Sequence, residues 1–275
     1  MWDRKKPIWP EGVKCPVVLT FDFDAESIEV NRAKLDGVEP NIFGRHSLGQ
    51  YSPRVAAPRI LDLLDKHNVP STWFIPAYDA ERHPEIVKEI SERGHEVGNH
   101  NYCHEHADKL TPEEEKDVLS KSDKILSGLT GKPVLGWRTP SGYVSKNTYP
   151  YIHEMGYKYS SSFNNDDNPY IIELDGEKVD MVELPFAWIL DDAPLYTAFV
   201  KFRNSEVLEM WREEFDTFYK NGFYYSLCMH PRYTGRLTRI EVLDKLIGHI
   251  KRHDGIWWAK SIDVAEWVLK KEKES

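Results

Sequence analysis

The chain has 275 residues, of which 40% are hydrophobic and 29% are charged, so it contains enough apolar residues to bury a large core. Its formal net charge of -9 and its isoelectric point of about 5.7 exclude the basic surface that nucleic acids and anionic membranes require. The sequence also contains no apolar run near the ~18 residues that cross a bilayer. We therefore expect neither a nucleic-acid partner nor a membrane partner.

The cysteines and the N-terminal residues bear on the cellular compartment. Cys15, Cys103 and Cys228 are odd in number, lie far apart and form no CxxC pair, which argues against a disulfide framework and against a thiolate zinc site. Three prolines interrupt residues 1–16, so the apolar segment of a secretory signal is not predicted there. These features predict a cytoplasmic protein.

The predicted elements begin with a buried strand. Residues 17–21 are apolar and rich in β-branched side chains, and Asp22-Phe23-Asp24 follows, which indicates a strand whose C-terminal end carries acids. Residues 25–53 show scattered glycines and no clear period, so they are predicted to form a long functional loop. The next predicted elements are a helix over 56–67, a strand over 71–76 and a helix over 84–93.

The remaining elements continue this alternation. A short strand at 95–98 precedes a helix that begins with a capping box in Thr111-Pro112-Glu113-Glu114 and ends at Gly131. About seven strand-helix units, without an internal repeat or a linker, predict a single domain over residues 1–275 with an α/β fold, a closed or nearly closed (β/α) barrel. In such barrels the reacting groups lie at the C-terminal ends of the strands. The later predicted strands are 134–137, 182–184, 223–229 and 256–259, and the later predicted helices are 146–155, 205–221, 240–252 and 262–271.

Two carboxylates mark the end of the first predicted strand. Side chains two residues apart on a strand point to the same side, so Asp22 and Asp24 are expected to converge. Their mutual repulsion would be costly unless a cation joined them. One acid could then bind a metal while the other accepts a proton. The alternative is a strand end with two solvated acids.

Two histidines follow the short strand at 95–98. His100 and His104 are four residues apart, a spacing that places both on one face of a helical turn and within reach of one metal ion. Together with Asp24 they predict a His-His-Asp set that leaves a coordination position for water. The alternative is a cluster of surface histidines, since His95 and His106 lie nearby in the sequence.

Two further predicted strand ends carry Arg138 and His230. The guanidinium of Arg138 would hold a neighbouring Asp22 carboxylate ionised and orient it through a bidentate fork. His230 follows the strand at 223–229 and could protonate a leaving amine, because the ordinary pKa of histidine lies near neutrality. The alternatives are an arginine that only belongs to a turn and a structural histidine.

These four motifs, in this order, resemble the polysaccharide deacetylase (NodB homology) family over residues 17–258. The resemblance implies a deformed (β/α) barrel and a divalent metal, with zinc as the first candidate. It also implies that Asp22 is the catalytic base, that Arg138 orients this base, and that His230 is the general acid. The metal ligands that it implies are Asp24, His100 and His104.

The resemblance is to one branch of this family, which includes a peptidoglycan deacetylase, allantoinase-like enzymes and cyclic imide hydrolases. The pair of acids is split here by Phe23, and residues 183–188, followed by Asp191-Asp192, resemble a pocket-lining motif. The branch implies a homo-oligomer. Departures from the usual family pattern are Asn101, Glu105 and Met229. The substrate-binding residues that the resemblance implies are Tyr51, Pro140 and Trp188.

The predicted activity is metal-dependent hydrolysis of a carbon–nitrogen amide bond other than a peptide bond. Its first form is removal of N-acetyl groups from amino sugars of the peptidoglycan or chitooligosaccharide type, and its alternative is ring opening of a small cyclic amide or imide. A glycoside hydrolase is disfavoured, because it needs two carboxylates ~5 to 9.5 Å apart across the scissile bond, whereas Asp22 and Asp24 share one strand end. A non-catalytic sugar-binding protein would not need the full set of reactive residues.

Overall fold

The structure is a computed structural model that describes residues 9–38, 46–197 and 202–274. A mostly parallel sheet forms its centre, with helices packed around it. The strands are β1 (Cys15–Asp22), β2 (Thr72–Ile75), β3 (Glu96–Asn99), β4 (Gly136–Trp137), β5 (Tyr159–Ser160), β6 (Tyr170–Leu174), β7 (Glu177–Glu183), β8 (Tyr225–Met229) and β9 (Ile256–Ala259). The helices are α1 (Ser27–Leu35), α2 (His46–Tyr51), α3 (Ala57–His67), α4 (Ala77–Arg82), α5 (Pro84–Glu92), α6 (Pro112–Thr130), α7 (Thr148–Glu154), α8 (Asp192–Thr197), α9 (Asn204–Asn221), α10 (Pro231–Thr234), α11 (Ile240–Ile250) and α12 (Ser261–Glu274).

The sheet curls into a half-barrel. Its hydrogen-bonded neighbours run in the order β6, β7, β5, β4, β3, β2, β1 and β8, and β9 also pairs with β1. Each pairing is parallel except that of β6 with β7. Thr20 of β1 lies beside Thr72 of β2, and Phe21 lies beside Met229 of β8. This architecture confirms the predicted α/β deformed barrel.

Two strands in the middle of the chain escaped the sequence prediction. The strand β5 is two residues long, which is too short to show a period. The strand β6 forms an antiparallel hairpin with β7, and the turn residues Asp175 and Gly176 have φ angles of 53° and 85°. An Asp-Gly pair signals such a turn. The sheet therefore contains nine described strands where about seven were predicted.

The strand that carries the first acids lies in the middle of the core. All eight residues of β1 are buried, as expected of a parallel strand with both faces covered. The ring of Phe21 stacks on Trp73 of β2 with 4.5 Å between the ring centroids. The hydroxyl of Thr20 donates to the carbonyl of Leu227 in β8 at 2.9 Å. These contacts hold the end of the strand, and with it Asp22, in one position.

The helix α6 begins and ends as the sequence predicts. The Thr111 hydroxyl accepts a hydrogen bond from the Glu114 backbone N–H at 3.2 Å, and the Glu114 carboxylate accepts one from the Thr111 N–H at 2.8 Å. Gly131, with a φ of 66°, terminates the helix in the left-handed conformation that glycine adopts readily. The capping box is therefore confirmed.

The loop predicted over residues 25–53 is wrong in part, because α1 and α2 lie within it. The buried side chains of α1 are mostly polar, so the helix shows no apolar stripe. The Asn31 side-chain amide donates to the carbonyl of His104 at 2.7 Å, and the Ser27 hydroxyl donates to Asp79 at 2.5 Å. A helix held by polar contacts leaves no hydrophobic period from which it could be predicted. Residues 39–45 of this segment lie outside the described residues.

Two global expectations can be compared with the structure. No helix within residues 9–38, 46–197 and 202–274 is long and apolar enough to cross a membrane. Cys15, Cys103 and Cys228 are buried free thiols, in line with the absence of a disulfide framework. The single domain over residues 1–275 stays a prediction.

A buried histidine before β3 is expected to make the fold sensitive to acid. The Nδ1 atom of His95 lies 3.0 Å from the Ser71 hydroxyl, and its Nε2 atom has no hydrogen-bond partner among the described residues. Burial lowers the pKa of His95 from 6.5 to about 4. The unfolded chain therefore binds a proton below about pH 6.5 that the folded chain excludes until about pH 4. Stability from this residue is present above that window and is lost as the pH falls through it.

The free energy of unfolding should fall by about 3 kcal/mol through His95 as the pH drops from about 6.5 to about 4. Urea unfolding of the wild type and of His95→Asn at about pH 7 and about pH 4.5 measures this loss. Asparagine can keep a hydrogen bond to Ser71 but does not titrate. The difference between the two pH values should be smaller in the variant, and an equal difference would contradict the assignment.

Candidate active site

The predicted reactive residues line one cavity at the C-terminal ends of β1, β3 and β8. The cavity has a volume of about 660 Å³, within the range of small-molecule sites. Its lining includes seven residues that the sequence analysis singled out, namely Asp22, Asp24, His100, His104, Arg138, Trp188 and His230. The structure therefore brings together side chains that are up to 208 positions apart in the chain, the separation of residues 22 and 230.

Asp24, His100 and His104 form a compact group of three possible metal ligands. One ligand atom from each lies within 4.8 Å of the other two. The His100 Nε2 atom is 3.7 Å from Asp24 Oδ1, and the His104 Nε2 atom is 3.7 Å from Asp24 Oδ2. All three residues are buried. We refer to this group as the ligand triad.

The two histidines are presented by a tight turn and not by the helical turn that the sequence analysis expected. Asn101 and His104 both have positive φ angles, 61° and 58°. The Glu105 carboxylate accepts hydrogen bonds from the backbone N–H groups of Tyr102 and Cys103 at 3.2 and 2.8 Å. Asparagine tolerates the left-handed conformation better than most residues, and Glu105 satisfies the exposed backbone donors. Asn101 and Glu105, which depart from the usual family pattern, therefore build this turn.

The ligand triad fits a divalent cation. Asp24 Oδ1 is buried without a hydrogen-bond donor among the described residues. The Nδ1 atom of His100 is bonded to the carbonyl of Arg138 at 2.8 Å, which places the hydrogen on Nδ1 and leaves Nε2 free, the arrangement typical of metal-binding histidines. Burial lowers the pKa of His100 and lowers that of His104 to about 3. Both rings are therefore neutral and able to bind a metal.

Asp22 is paired with Arg138 beside the ligand triad. Arg138 Nη1 lies 2.7 Å from Asp22 Oδ1. Burial alone raises the pKa of Asp22, but the charge and hydrogen bond of Arg138, together with the charge of His230, outweigh it, so the pKa lies below its ordinary value. Asp22 is therefore held as a carboxylate. Its Oδ2 atom lies 3.8 Å from His100 Nε2.

The predicted bidentate fork between Arg138 and Asp22 is not formed. The same Nη1 atom donates also to the Thr20 hydroxyl at 2.9 Å, while Nε and Nη2 donate to the carbonyl and the hydroxyl of Ser161 at 2.7 and 2.8 Å. The guanidinium lies over the ring of Phe74, 4.2 Å from its centroid. Arg138 thus divides these donors between β1 and the residue that follows β5, and it fixes Asp22 through one short bond.

His230 is held by the carboxylate of Asp192, which the sequence analysis named only as part of a pocket-lining motif. Asp192 Oδ1 lies 2.7 Å from His230 Nδ1, and the Asp192 carboxylate also accepts from the backbone N–H groups of His230 and Thr234 and from the Thr234 hydroxyl. Burial lowers the pKa of His230, but the hydrogen bond and charge of Asp192, with the charges of Asp191 and Asp24, raise it to about 10. The His230 Nε2 atom points toward Asp24, 3.6 Å from Oδ2.

Two other interactions at the site were not indicated by any motif in the sequence. The Asp79 carboxylate accepts from the backbone N–H groups of Ala25 and Ser27 at 3.0 and 2.9 Å, and it fixes the segment directly after Asp24. Arg232, two residues after His230, lies 3.4 Å from Glu29 of α1, and both residues line the cavity. Only the Asp191-Asp192 pair, quoted as part of the pocket-lining motif, offered a signal in the sequence.

The three residues implied in substrate binding lie in different places. Trp188 lines the cavity and is 70% exposed. Pro140 is buried and is absent from the described lining, although its neighbours Thr139 and Ser141 belong to it. The Tyr51 hydroxyl lies 2.9 Å from Arg59 Nη1. Of these three residues, Trp188 has the exposed surface that a ligand could contact.

The chain is similar in sequence to polysaccharide and peptidoglycan deacetylases. The family model for polysaccharide deacetylase matches residues 50–160. The peptidoglycan deacetylase of Helicobacter pylori is 32% identical over 256 residues, which cover 82% of this chain and 87% of the relative. A peptidoglycan deacetylase-like protein of Gibberella zeae is 27% identical, with 80% of this chain and 75% of the relative covered.

Solved structures with the same fold include two that cover nearly the whole chain. The crystal structure of a Mycobacterium smegmatis protein assigned as a polysaccharide deacetylase has a TM-score of 0.88 and 32% identity, and the match covers 98% of this chain and 95% of the other. The crystal structure of an allantoinase has a TM-score of 0.86 with 24% identity, covering 96% of this chain and 93% of the other. The second match shows a shared fold.

Proposed function

Because the chain belongs to the polysaccharide deacetylase family, we propose that it removes N-acetyl groups from amino sugars of the peptidoglycan or chitooligosaccharide type. Family membership rests on the 32% identity to the Helicobacter pylori protein over most of both chains. It makes the chain a hydrolase of carbon–nitrogen bonds other than peptide bonds, as predicted from the motifs. The substrate, the metal and the residue roles below are part of the proposal.

One observation carries the proposal. A buried carboxylate, a group of three metal ligands and a charged histidine face the same cavity, with His230 Nε2 within 4.0 Å of both Asp22 Oδ2 and Asp24 Oδ2. Amide hydrolysis needs a base, an electrophile and an acid around one carbonyl group. The cavity contains candidates for the base and the acid, and its three ligands would hold a metal as the electrophile.

We assign the base to Asp22. Its carboxylate is held ionised by Arg138 and has one oxygen, Oδ2, turned toward His100 and His230. In this role Asp22 accepts a proton from the attacking water. Arg138 orients the carboxylate and keeps it charged. Buried hydrogen bonds to Thr20 and Ser161 hold the Arg138 guanidinium in this position.

We assign the acid to His230. The Asp192 carboxylate holds the Nδ1 side of the ring, so Nε2 faces the cavity and donates its proton to the departing nitrogen. A divalent metal bound by Asp24, His100 and His104, for which we propose zinc, would supply Lewis-acid polarisation of the amide carbonyl. Cytoplasmic localisation and assembly into a homo-oligomer stay predictions.

Ring opening of a small cyclic amide or imide is the second candidate. It breaks the same kind of bond with the same groups, and the fold is shared with an allantoinase. The exposed Trp188 at the cavity favours a sugar, because an accessible indole ring offers a flat apolar face against which a sugar ring can pack. The two candidate activities share one mechanism, so the substrate is what distinguishes them.

A product assay tests the proposal. The purified protein, with its metal content quantified, is incubated with acetylated chitooligosaccharides, with allantoin and with succinimide. We expect acetate release from the oligosaccharides. Ring-opened acid from either cyclic compound, without acetate release, would replace the first candidate by the second. The His230→Ala protein, prepared in parallel, shows how much of any turnover comes from contaminating enzymes.

Asp192, which holds His230, should affect kcat almost as strongly as His230 itself. Asp192→Asn removes the charge beside Nδ1, so His230 is less firmly oriented and less readily protonated. We expect kcat to fall by about 10²-fold, the lower end of what a general acid contributes, with KM little changed. Asp191→Asn is the matched control, because Asp191 Oδ1 is 3.7 Å from the same nitrogen. A larger loss in the Asp191 variant than in the Asp192 variant would contradict the assignment.

A further inference from the structure

A second cluster of possible metal ligands lies away from the cavity, where α9 packs against α11. It consists of Asp216 on α9, His249 on α11 and His253 just after α11, and we call it the helix-pair cluster. We propose that the helix-pair cluster binds a divalent transition metal of the zinc type. This site is independent of the proposed catalytic metal.

The spacing of the helix-pair cluster suits one ion. One ligand atom from each residue lies within 4.8 Å of the other two. The His249 Nε2 atom is 2.6 Å from Asp216 Oδ1, and the His253 Nε2 atom is 3.7 Å from the same oxygen. Ligands bound at about 2.0–2.1 Å to tetrahedral zinc lie about 3.3 Å apart. The Asp216 side chain is 51% exposed, so it can make the shift of under about 1 Å that this geometry requires.

A hydrogen bond to the backbone holds His253 in the tautomer that can bind a metal through Nε2. Its Nδ1 atom lies 3.2 Å from the carbonyl of His249, so Nδ1 carries the hydrogen and Nε2 carries the lone pair. A backbone carbonyl that fixes the tautomer in this way is typical of metal-binding histidines. The lone pair then faces a carboxylate oxygen of Asp216. The lone pair of His253 Nε2 and the carboxylate oxygen of Asp216 repel each other unless a cation or a proton lies between them.

Aromatic side chains hold both imidazole rings in place. Phe215 packs edge-on against His249 and His253, with 5.8 and 5.1 Å between ring centroids. Tyr219 packs against His253 at 4.8 Å. The His249 side chain is 14% exposed and that of His253 is 26% exposed. Binding therefore costs little further ordering of the histidine side chains, while the ion can still enter from solvent.

Arg252 competes with the metal at this site. Its Nη2 atom lies 2.8 Å from His249 Nδ1, which places the hydrogen of His249 on Nε2, toward Asp216. A bound metal needs that nitrogen free, so the contact with Arg252 must open. Arg252 is exposed and can move into solvent. Arg252→Ala should therefore tighten zinc binding, and weaker binding in that variant would contradict the proposed coordination.

Equilibrium dialysis of the tag-free chain with Zn²⁺ at micromolar free concentration tests the proposal. We expect two zinc ions per chain in the wild type and one in His104→Ala, which lacks a ligand of the proposed catalytic site. The double variant His104→Ala with His253→Ala should bind none. The single variants His253→Ala and Asp216→Asn should bind one. Both side chains are partly exposed, and circular dichroism verifies the fold.

His67 offers a matched control. Its Nε2 atom lies 2.6 Å from Asp244 Oδ1, a histidine–aspartate pair that also involves α11 but belongs to none of the three-ligand groups found among the described residues. His67→Ala should leave zinc binding unchanged. Equal zinc content in His253→Ala, Asp216→Asn and the wild type would overturn the second site. If the wild type binds one zinc that His253→Ala loses and His104→Ala keeps, the second site stands and the catalytic metal fails.

Discussion

Replacement of Asp22 by asparagine is expected to lower kcat about 10²- to 10⁴-fold while the zinc content stays at its wild-type level. Asp22 lies beside the ligand triad without belonging to it. Asparagine has nearly the same shape but cannot accept the proton of the attacking water. The change therefore removes the base and keeps the three ligands.

Steady-state kinetics on the substrate identified by the product assay, together with metal analysis, measures this effect. The substitution also leaves the buried Arg138 without its counter-charge, and loss of one partner from a buried ion pair typically costs about 3–5 kcal/mol. Thermal unfolding of the variant is therefore needed beside the kinetics. An Asp22→Asn protein that is folded, contains zinc and keeps its kcat would show that another group is the base.

Thr20→Val is the matched control for the stability effect. It removes the hydroxyl that accepts from Arg138 Nη1 at 2.9 Å and donates to the Leu227 carbonyl, but it leaves the Asp22 carboxylate in place. We expect a loss of stability from the unpaired groups, of about 1–3 kcal/mol, with a much smaller effect on kcat than in Asp22→Asn. A rate loss of the same size in both variants would assign the effect to the position of Arg138.

Replacement of His104 by alanine is expected to remove both the catalytic metal and the activity. His104 is buried and contributes one of the three ligand atoms of the ligand triad. The two ligands that remain bind a metal far more weakly than the complete set of three. Without the metal the amide carbonyl is not polarised. We expect kcat/KM to fall by at least about 10³-fold, since Lewis-acid stabilisation contributes several kcal/mol.

His106→Ala is the matched control for the metal. Its ring lies 6.4 Å from that of His104 and stacks on Tyr143 at 4.4 Å, and it is not part of the ligand triad. Metal analysis after dialysis should show full catalytic metal in His106→Ala and none in His104→Ala. Full activity in a His104→Ala protein that lacks the catalytic metal would exclude the proposed role of that metal.

The sequence alone was sufficient to place the reactive side chains at strand ends. The apolar run before Asp22 and the run before His230 predict buried strands, and β1 and β8 are found there. In a parallel barrel the C-terminal ends of the strands meet at one rim. Residues that follow predicted strands could therefore be placed together without any knowledge of their contacts. The capping box at Thr111 was equally local, because its two partners are three residues apart.

Only the tertiary structure decided how these side chains are oriented. Asp191 and Asp192 look alike in the sequence, yet only Asp192 reaches His230 Nδ1 with a short bond, at 2.7 Å against 3.7 Å for Asp191. No local signal distinguishes the two acids, since His230 lies 38 positions beyond Asp192. The same holds for α1, whose Asn31 side chain bonds to the carbonyl of His104. Hydrophobic periodicity records which face of an element is buried, and it carries no information about polar contacts between distant segments. The sequence thus determined the fold class and the positions of the reactive groups, while tertiary packing decided their partners, their charges and the turn that presents the two histidines.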